Sequence, residues 1–325
     1  MVEHYQVDAT EDGMRLDRWF RAHFPSVPHG HLQKLLRTGQ VRVEGGRAKA
    51  NTRLLSGQQV RVPPIKAAAQ KRSRPDLSAE DIAFVRSLVI LEDSHVFAIN
   101  KPAGLAVQGG TKTGRHLDGL LDGLQMNGAE RPRLVHRLDK DTSGVLLLAR
   151  TRTAAQALGQ ALKEHSAKKL YWALVVGVPD RAVGIINLPL QKSVGRDGER
   201  VRVSEPDSPA AQSAQSHYCV IEKAGQRLAW LAMTPVTGRT HQLRVHAAAM
   251  GHPVVGDGKY GGTDAFPGGE IQGKLHLHTR TIVVPSPAGG TLYVDAPLPD
   301  HMRSSWEMLG FDADASADPY VFDNL

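Results

Sequence analysis

The chain has 325 residues and an apolar content of 41%, enough for one large domain or two unequal ones with a real core. Its single cysteine excludes an internal disulfide and a cysteine-based metal cluster within one chain, which fits a reducing compartment. The first residues lack the basic and apolar segments of a signal peptide, and no apolar run is long enough to span a membrane. The sequence therefore predicts a cytoplasmic protein that does not insert into a membrane.

Positive charge is concentrated at one end of the chain. Residues 1–75 contain 14 Lys and Arg against 6 Asp and Glu, a net charge of +8, whereas the whole chain carries +7. A compact basic module beside a nearly neutral large domain indicates a nucleic-acid-binding handle attached to an enzyme. A solvated basic face is the alternative.

The first predicted elements are two short helices and a small hairpin. A helix that begins near Gly13 places Leu16, Trp19 and Phe20 on one face, and a second helix runs over residues 31–38. Short strands follow at residues 41–43 and 59–62, so residues 1–64 form a small domain. The basic residues expected on its outer face are Arg15, Arg18, Lys34, Arg37 and Arg42. Residues 65–80 are basic and show no periodicity, which predicts a linker.

The larger domain is predicted over residues 81–310. Its strands and hairpins outnumber its β-α-β units, which favours an α+β domain around a mixed, mostly antiparallel sheet. Helices are expected over residues 81–88 and 116–124, and from Thr151 or Thr153 to about residue 165. The final segment, residues 311–325, has four Asp and no basic residue, and predicts a loose acidic tail.

One dense polar segment precedes a wholly apolar run. His136, Arg137, Asp139 and Asp141 stand just before residues 145–149, which predict a buried strand. Polar groups at the mouth of a buried strand are well placed to present chemistry on a rigid support. Spacing alone leaves several interpretations of these carboxylates.

A calcium loop is excluded because Arg150 stands where an EF-hand needs a bidentate Glu. Asp139 and Asp141 have the Asp-x-Asp spacing of the aspartyl-phosphate phosphatase motif, but His136 and Arg137 interrupt the apolar strand that this motif requires. A third interpretation is a lone catalytic Asp with an Arg beside it. The structural alternative is an Asp that caps a turn, which we favour for Asp141, whereas spacing leaves Asp139 open.

A second dense segment spans residues 235–246. Gly238 allows a tight turn, and Thr240 is expected to cap a helix whose first turn carries His241 and Arg244. This helix N-terminus together with Arg239 predicts an anion site. The histidines of this half lack the spacings and the supporting carboxylates of a metal site, so no metal is predicted; they are His241, His246, His276 and His278.

Two resemblances emerge from these motifs. Arg15-Leu16-Asp17 followed by residues 36–43 resembles the S4 RNA-binding domain. A larger set of motifs, in this order along the chain, is similar to the RluA-type pseudouridine synthases: Asn100-Lys101-Pro102-Ala103-Gly104, His136-Arg137-Leu138-Asp139 with Thr142-Ser143-Gly144, Lys169-x-Tyr171-x-Ala173, residues 238–246, and Leu277-His278. The match extends from about Glu92 to Pro299. Thr279 and the acidic tail depart from the family pattern.

The resemblance implies a pseudouridine synthase fold and an isomerase that converts uridine to pseudouridine in RNA without cofactor or metal. It also implies residue roles. Asp139 acts as nucleophile or base, Arg239 is its cationic partner with Arg244 as second choice, Tyr171 lies against the target base, Leu277 forms the opposite wall, Arg137 fills the space that the base leaves, and His136 contacts RNA or scaffold.

The S4-like module and the chain length resemble the RluC/RluD-type enzymes and imply large-subunit (23S) ribosomal RNA as substrate, with the assembling subunit as an expected context. The expected oligomeric state is a monomer. Transfer RNA is the nearest alternative substrate. Two further alternatives are a non-catalytic RNA-binding protein of ribosome assembly and the magnesium-dependent phosphatase.

Overall fold

A computed structural model gives the fold and describes residues 2–65, 77–109, 114–126, 128–164, 166–195, 198–205 and 207–323. The chain divides into two compact units, residues 1–76 and 77–325. Most of the predicted linker, residues 66–76, lies outside the described residues. Within the described residues, no helix combines the length and the apolar content that crossing a membrane requires.

The first unit is a small α/β module. Its elements are β1 (Glu3–Gln6), α1 (Leu16–His23), α2 (His29–Arg37), β2 (Arg42–Val43), β3 (Gly46–Arg47) and β4 (Gln59–Val62), with one 3-10 turn at Ala9–Glu11. The strands pair antiparallel in the order β1-β4-β2-β3. The predicted apolar face of α1 is buried: Leu16, Trp19 and Phe20 pack with residues of α2 and β4. This burial gives the unit a core of its own.

The second unit holds the remaining elements. Its helices are α3 (Ala79–Ser87), α4 (Leu117–Leu120), α5 (Arg152–Lys163), α6 (Gln242–Ala249) and α7 (Asp300–Leu309), with 3-10 turns at Leu121–Leu124 and Gly262–Ala265. Its strands are β5 (Val89–Glu92), β6 (Val96–Lys101), β7 (Arg133–Leu134), β8 (Ser143–Ala149), β9 (Lys168–Val176), β10 (Val183–Asn187), β11 (Leu190–Gly195), β12 (Gly198–Val203), β13 (Gln215–Ala224), β14 (Leu228–Pro235), β15 (Leu277–Pro285) and β16 (Thr291–Asp295).

A ten-stranded sheet organises the second unit. Its order is β10-β13-β14-β9-β15-β8-β6-β5, with β16 beside β15 and β7 beside β8, while β11 and β12 form a separate hairpin. Among the described strands of this sheet, β8 and β15 pair parallel and the other pairs are antiparallel. The prediction of an α+β fold with a mixed, mostly antiparallel sheet is confirmed.

The side chains of strand β9 alternate between the two faces of the sheet. Successive side chains on a strand point to opposite faces. Trp172 packs on one face against Trp230 and, through it, Trp306 of α7. Tyr171 and Ala173 belong to the other face, where α6 packs. The cleft described below opens on this second face.

Gly144 sets the close approach of β8 to β15. It has φ +109°, and a Cβ at this position would lie 2.2 Å from the carbonyl oxygen of Thr279. Only glycine tolerates both the backbone conformation and the contact. The glycine of the Thr142-Ser143-Gly144 motif therefore has a structural role: it allows β8 to begin in close contact with β15.

The C-terminal segment is packed, so the prediction of a loose tail was wrong for residues 311–323. Phe311 and Phe322 are buried in the same cluster as Trp306. Asp314 pairs with Arg303 of α7, which uses part of the acidic charge. The acidic composition suggested solvation, but the aromatic residues interspersed among the Asp residues bury enough apolar surface to order the segment.

Candidate active site

The polar segments singled out from the sequence meet at one cleft of about 470 Å³. It opens between the segment that precedes β8, the start of β9, the first residue of β15, helix α5, and the turn and first residues of α6. The residues that line it include Val135, His136, Arg137, Leu138, Asp139, Thr142, Lys163, Lys169, Tyr171, Arg239, His241, Arg244 and Leu277. Residues that are far apart in sequence thus face one space, as the resemblance implied.

The segment that carries Asp139 is held rigidly from below. Lys101 is fully buried at the end of β6, and its Nζ donates to the carbonyl oxygens of Pro102, Leu105 and Lys140 at 2.8, 3.0 and 3.0 Å. The N–H of Gly104 donates to the same Lys140 carbonyl at 2.9 Å. Three acceptors match the three donors of an ammonium group. This anchoring fixes the backbone directly after Asp139 and leaves its carboxylate facing the cleft.

His136 is a scaffold residue. Its Nε2 accepts the backbone N–H of Leu147, inside β8, at 2.9 Å. Burial, with a smaller contribution from the charge of Lys169, lowers the pKa of His136 to about 3. The ring is neutral at pH 7, and the nitrogen that accepts this bond cannot also carry a proton. The second part of the expectation for His136, scaffold contact, fits this geometry.

A pH dependence of stability follows from His136. Between pH 6.5 and 3 the unfolded chain protonates this ring and the folded chain does not, so stability present above pH 6.5 is lost on acidification. In His136→Gln the amide oxygen can still accept the N–H, but the side chain does not titrate. We therefore expect the unfolding free energy of this variant to fall less steeply with decreasing pH than that of the wild type, by up to about 1.4 kcal/mol per pH unit. Urea unfolding at pH 7, 6, 5 and 4 measures both slopes. Equal slopes would contradict the assignment of a neutral buried ring.

His241 is the basic group that lies beside Asp139. Its Nε2 is 3.8 Å from Oδ2 of Asp139, and its Nδ1 is 2.6 Å from the hydroxyl of Tyr260. His241 has φ +54°, a left-handed conformation that is strained for a residue with a side chain. Burial lowers the pKa of His241 while the charge of Asp139 opposes this. The sequence predicted His241 in the first turn of this helix, beside an anion site, and did not predict its contact with Asp139, because the left-handed backbone conformation has no signature in the sequence.

Arg244 forms a buried ion pair. Its Nε and Nη2 donate to the two carboxylate oxygens of Asp257, each at 2.7 Å, and both side chains are buried. Burial alone would lower the pKa of Arg244, but the bonds and charge of Asp257, with the charge of Asp139 added, raise it. A guanidinium that is permanently charged therefore lines the cleft that holds Asp139.

Arg239 does not pair with Asp139, so the predicted ion pair was wrong. The Arg239 side chain is exposed, and its Nε donates to the carbonyl of Ser213 at 3.1 Å. Thr240 does not cap α6 either: the helix begins after His241, and Gln242 accepts the Arg239 N–H through its side chain at 3.1 Å. The Gln242 side chain thus occupies a backbone N–H close to the helix N-terminus, where the sequence predicted an anion site. Arg239 lies at the rim of the cleft.

Tyr171 and Leu277 border the cleft from neighbouring strands β9 and β15. Burial is the main cause that raises the pKa of Tyr171 to about 12; the hydroxyl of Thr279 opposes the rise and the charge of Asp139 adds to it. The phenol is therefore neutral at pH 7. The ring offers a flat, largely apolar surface, and Leu277 offers a second one.

Arg137 extends into solvent at the mouth of the cleft. Its side chain is exposed, and its Nη1 makes one long contact of 3.4 Å with Oε1 of Gln108. The alternative of a salt bridge between Arg137 and Asp141 is not formed within the described residues. A weakly held planar cation at the entrance can rearrange when a ligand arrives.

The basic residues predicted on the first unit fall into two groups. Arg18, Lys34 and Arg37 are exposed. Arg15 donates to Asp17, with its side chain 43% exposed, and Arg42 donates to the carbonyls of Gly39 and Gly45. The first group is available to a polyanion, whereas the second group also stabilises turns of its own unit. Across the described residues, no cluster of His, Cys, Asp and Glu could hold a metal ion.

Comparison with known proteins shows the family of this chain. The family described as RNA pseudouridylate synthase matches residues 95–249, which include the segments of Asp139, Tyr171 and Arg244. Ribosomal large subunit pseudouridine synthase C of Salmonella typhi is 34% identical over 95% of this chain and 97% of its own, and that of Yersinia pestis is 35% identical over 93% and 94%. The chain belongs to the RNA pseudouridylate synthase family.

Solved structures agree with this family assignment. Human RNA pseudouridylate synthase domain containing 4 aligns with a TM-score of 0.59 and 27% identity, covering 71% of this chain and 97% of that chain. Human RNA pseudouridylate synthase domain containing 1 aligns with a TM-score of 0.53 and 25% identity, covering 71% and 87%. The enzyme class expected from the sequence, an RNA pseudouridine synthase, is confirmed, and the phosphatase interpretation is wrong.

Proposed function

We propose that this pseudouridine synthase isomerises specific uridines of large-subunit (23S) ribosomal RNA. The observation that carries the proposal is the similarity, over nearly the full length of both chains, to enzymes that are named for the ribosomal large subunit. The similarity includes the basic first unit, which the family match over residues 95–249 does not reach. An RNA-binding handle joined to the catalytic unit suits a large, structured RNA.

The reaction explains the residue types in the cleft. The N1–C1′ bond of uridine breaks, the base turns, a C5–C1′ bond forms, and a proton leaves C5 while one is returned to N1. The change is redox-neutral and needs no external group donor. It needs a carboxylate that attacks the ribose or serves as a base. Asp139 has this role in our proposal, and it is held in place through Lys101 and the Lys140 carbonyl.

Positive charge in the cleft faces that carboxylate. A carboxylate that loses its water in a pocket closed by RNA is stabilised by a nearby cation. We assign this role to Arg244, whose own charge is secured by Asp257, and not to Arg239, which is turned toward Ser213. His241 adds a polarisable group 3.8 Å from Asp139. Arg239 at the rim remains available to RNA phosphate.

The target base has to leave its stack before Asp139 can reach the sugar. Tyr171 and Leu277 are placed to receive the base between an aromatic ring and an aliphatic side chain. Arg137, exposed at the entrance, is placed to stack in the space that the base vacates. In this proposal the cleft binds the base by shape and stacking, and the catalytic group lies at its floor.

The first unit, which resembles an S4 domain, serves as the RNA handle. Deleting residues 2–76 should weaken RNA binding and reduce the slope of log K against log salt by about 0.7 to 0.9 for each phosphate that the shortened protein no longer neutralises. Replacing Arg18, Lys34 and Arg37 together with Gln in the full chain tests the same idea with the fold retained. Filter binding measures the affinity and the slope of log K against log salt for both proteins. An unchanged slope in both would contradict the proposal that the first unit binds RNA.

Site-resolved pseudouridine mapping of ribosomal and transfer RNA tests the function. Cells with the wild-type gene, a deletion and Asp139→Asn are compared. Loss of particular large-subunit sites in both mutants is the expected result. Loss confined to transfer RNA would move the substrate to that class. No loss in either mutant, with RNA binding retained, would favour a non-catalytic RNA-binding protein.

A further inference from the structure

One partly buried cation of the cleft has no role in the mechanism above. Lys169 stands on β9 two residues before Tyr171, so both side chains are on the same face of the strand, and both line the cleft. Its backbone carbonyl accepts the hydroxyl of Thr234 at 3.1 Å, which holds the strand in place. Its side chain is partly buried.

Lys169 lacks the bonding partners that the buried cations Lys101 and Arg244 have. Lys101 donates to three carbonyls, and Arg244 is bound by Asp257. Within the described part of the chain, no hydrogen bond or ion pair to the ammonium of Lys169 is present. Burial lowers the pKa of Lys169, and no carboxylate counteracts this. A buried charge is costly unless it is paired, and a site that retains one is prepared for an anion.

The surroundings narrow the identity of that anion. The residues that line the cleft also include Lys163 of α5, which is a second, exposed cation, and His136, which is neutral and close enough to Lys169 for its charge to act on the ring. The lining therefore offers the positive charge of Lys169 and Lys163 to an anion. Residues two apart on a strand face are roughly 7 Å apart, similar to the distance between the base of a nucleotide and its phosphate.

We propose that Lys169 binds the backbone phosphate next to the target uridine while Tyr171 holds the base. This inference rests on the proposed RNA substrate and names a positioning residue for it. Lysine binds phosphate as a compact point charge, so the contact gives affinity and placement without reading sequence. The RNA supplies the counter-charge that the folded chain lacks at this position.

Lys169→Met tests the proposal, with Lys168→Met as matched control. Lys168 is the preceding residue of the same strand and pairs instead with Asp323 of the C-terminal segment. The probe is large-subunit RNA isolated from cells that lack the gene. For Lys169→Met we expect the slope of log K against log salt to fall by about 0.7 to 1 and KM to rise with kcat little changed. Lys168→Met and Lys169→Arg should retain the wild-type slope.

Two measurements separate this phosphate contact from a structural role. Removing an unpaired buried charge should leave or raise Tm, whereas removing a group that supports the fold would lower it. In an oligoribonucleotide that contains the mapped uridine, a single uncharged methylphosphonate beside it should weaken wild-type binding and leave Lys169→Met unaffected. A wild-type slope for Lys169→Met, or equal reductions for both lysines, would overturn the proposal. Absence of turnover by the wild-type enzyme on every RNA would refute the proposed function instead.

Discussion

Asp139→Asn is expected to reduce pseudouridine formation at least about 10⁴-fold, a typical loss for a residue that takes part directly in bond making. The amide has nearly the same shape but neither the charge nor the basicity of the carboxylate. The surrounding backbone should stay in place, because Lys101 and Gly104 hold the Lys140 carbonyl and make no use of the Asp139 side chain. RNA binding should be retained or slightly strengthened, since a negative charge is removed from a surface that faces a polyanion.

Single-turnover assays with excess enzyme measure this loss separately from binding. Asp141→Asn is the matched control: Asp141 is exposed, two residues away, and its sequence context favours a turn. It should retain activity within a few-fold. Comparable loss in both variants would point to a general effect on the segment before β8, and near-normal turnover by Asp139→Asn would remove Asp139 from the mechanism.

Arg244→Met is expected to cost about 3 to 5 kcal/mol of stability, because it leaves the fully buried Asp257 without its cation. Activity should fall as well, because the cleft loses the permanent positive charge that acts on Asp139. The two effects have different origins. Stability depends on the ion pair between Arg244 and Asp257, whereas activity depends on the positive charge that Arg244 places beside Asp139 in the cleft.

The double variant Arg244→Met with Asp257→Asn separates these effects. The Asn oxygen can still accept the N–H groups of Lys259 and Tyr260, which bond to Asp257 at 3.2 Å. The neutral pair avoids an uncompensated buried charge, so we expect much of the lost stability to return while activity stays low. Urea unfolding and single-turnover rates on the same samples give both quantities. Recovery of activity with stability would assign Arg244 a purely structural role.

Arg239→Gln is the comparison for Arg244→Met, because both arginines belong to the same motif. Its guanidinium is exposed and bonded to the Ser213 carbonyl. The sequence segment contains both arginines, five residues apart, and its spacing leaves open which one faces Asp139. The start of α6 decides this: the left-handed turn at His241 directs the chain so that Arg244 is inside and Arg239 at the rim.

Local features were determined by the sequence itself. The apolar face of α1, the run of β8 and the N-cap of α5 at Thr151 are read from neighbouring residues, and the structure agrees with each. These features depend on periodicity, on capping chemistry and on the alternation of strands, all of which act within one or two turns of the chain. The resemblance to the pseudouridine synthase family, carried by the order of the motifs, also named Asp139, Tyr171 and Leu277 as candidate site residues.

Pairing between distant segments was decided by tertiary structure alone. Composition predicted a free acidic tail, but burial of Phe311 and Phe322 beside Trp306 orders it. His241 lies close to Asp139 because of its own left-handed backbone conformation, which no residue pattern predicts. The physical reason is common to both cases: the energy of an interaction depends on which surfaces meet, and only the packing of the whole sheet determines which surfaces those are.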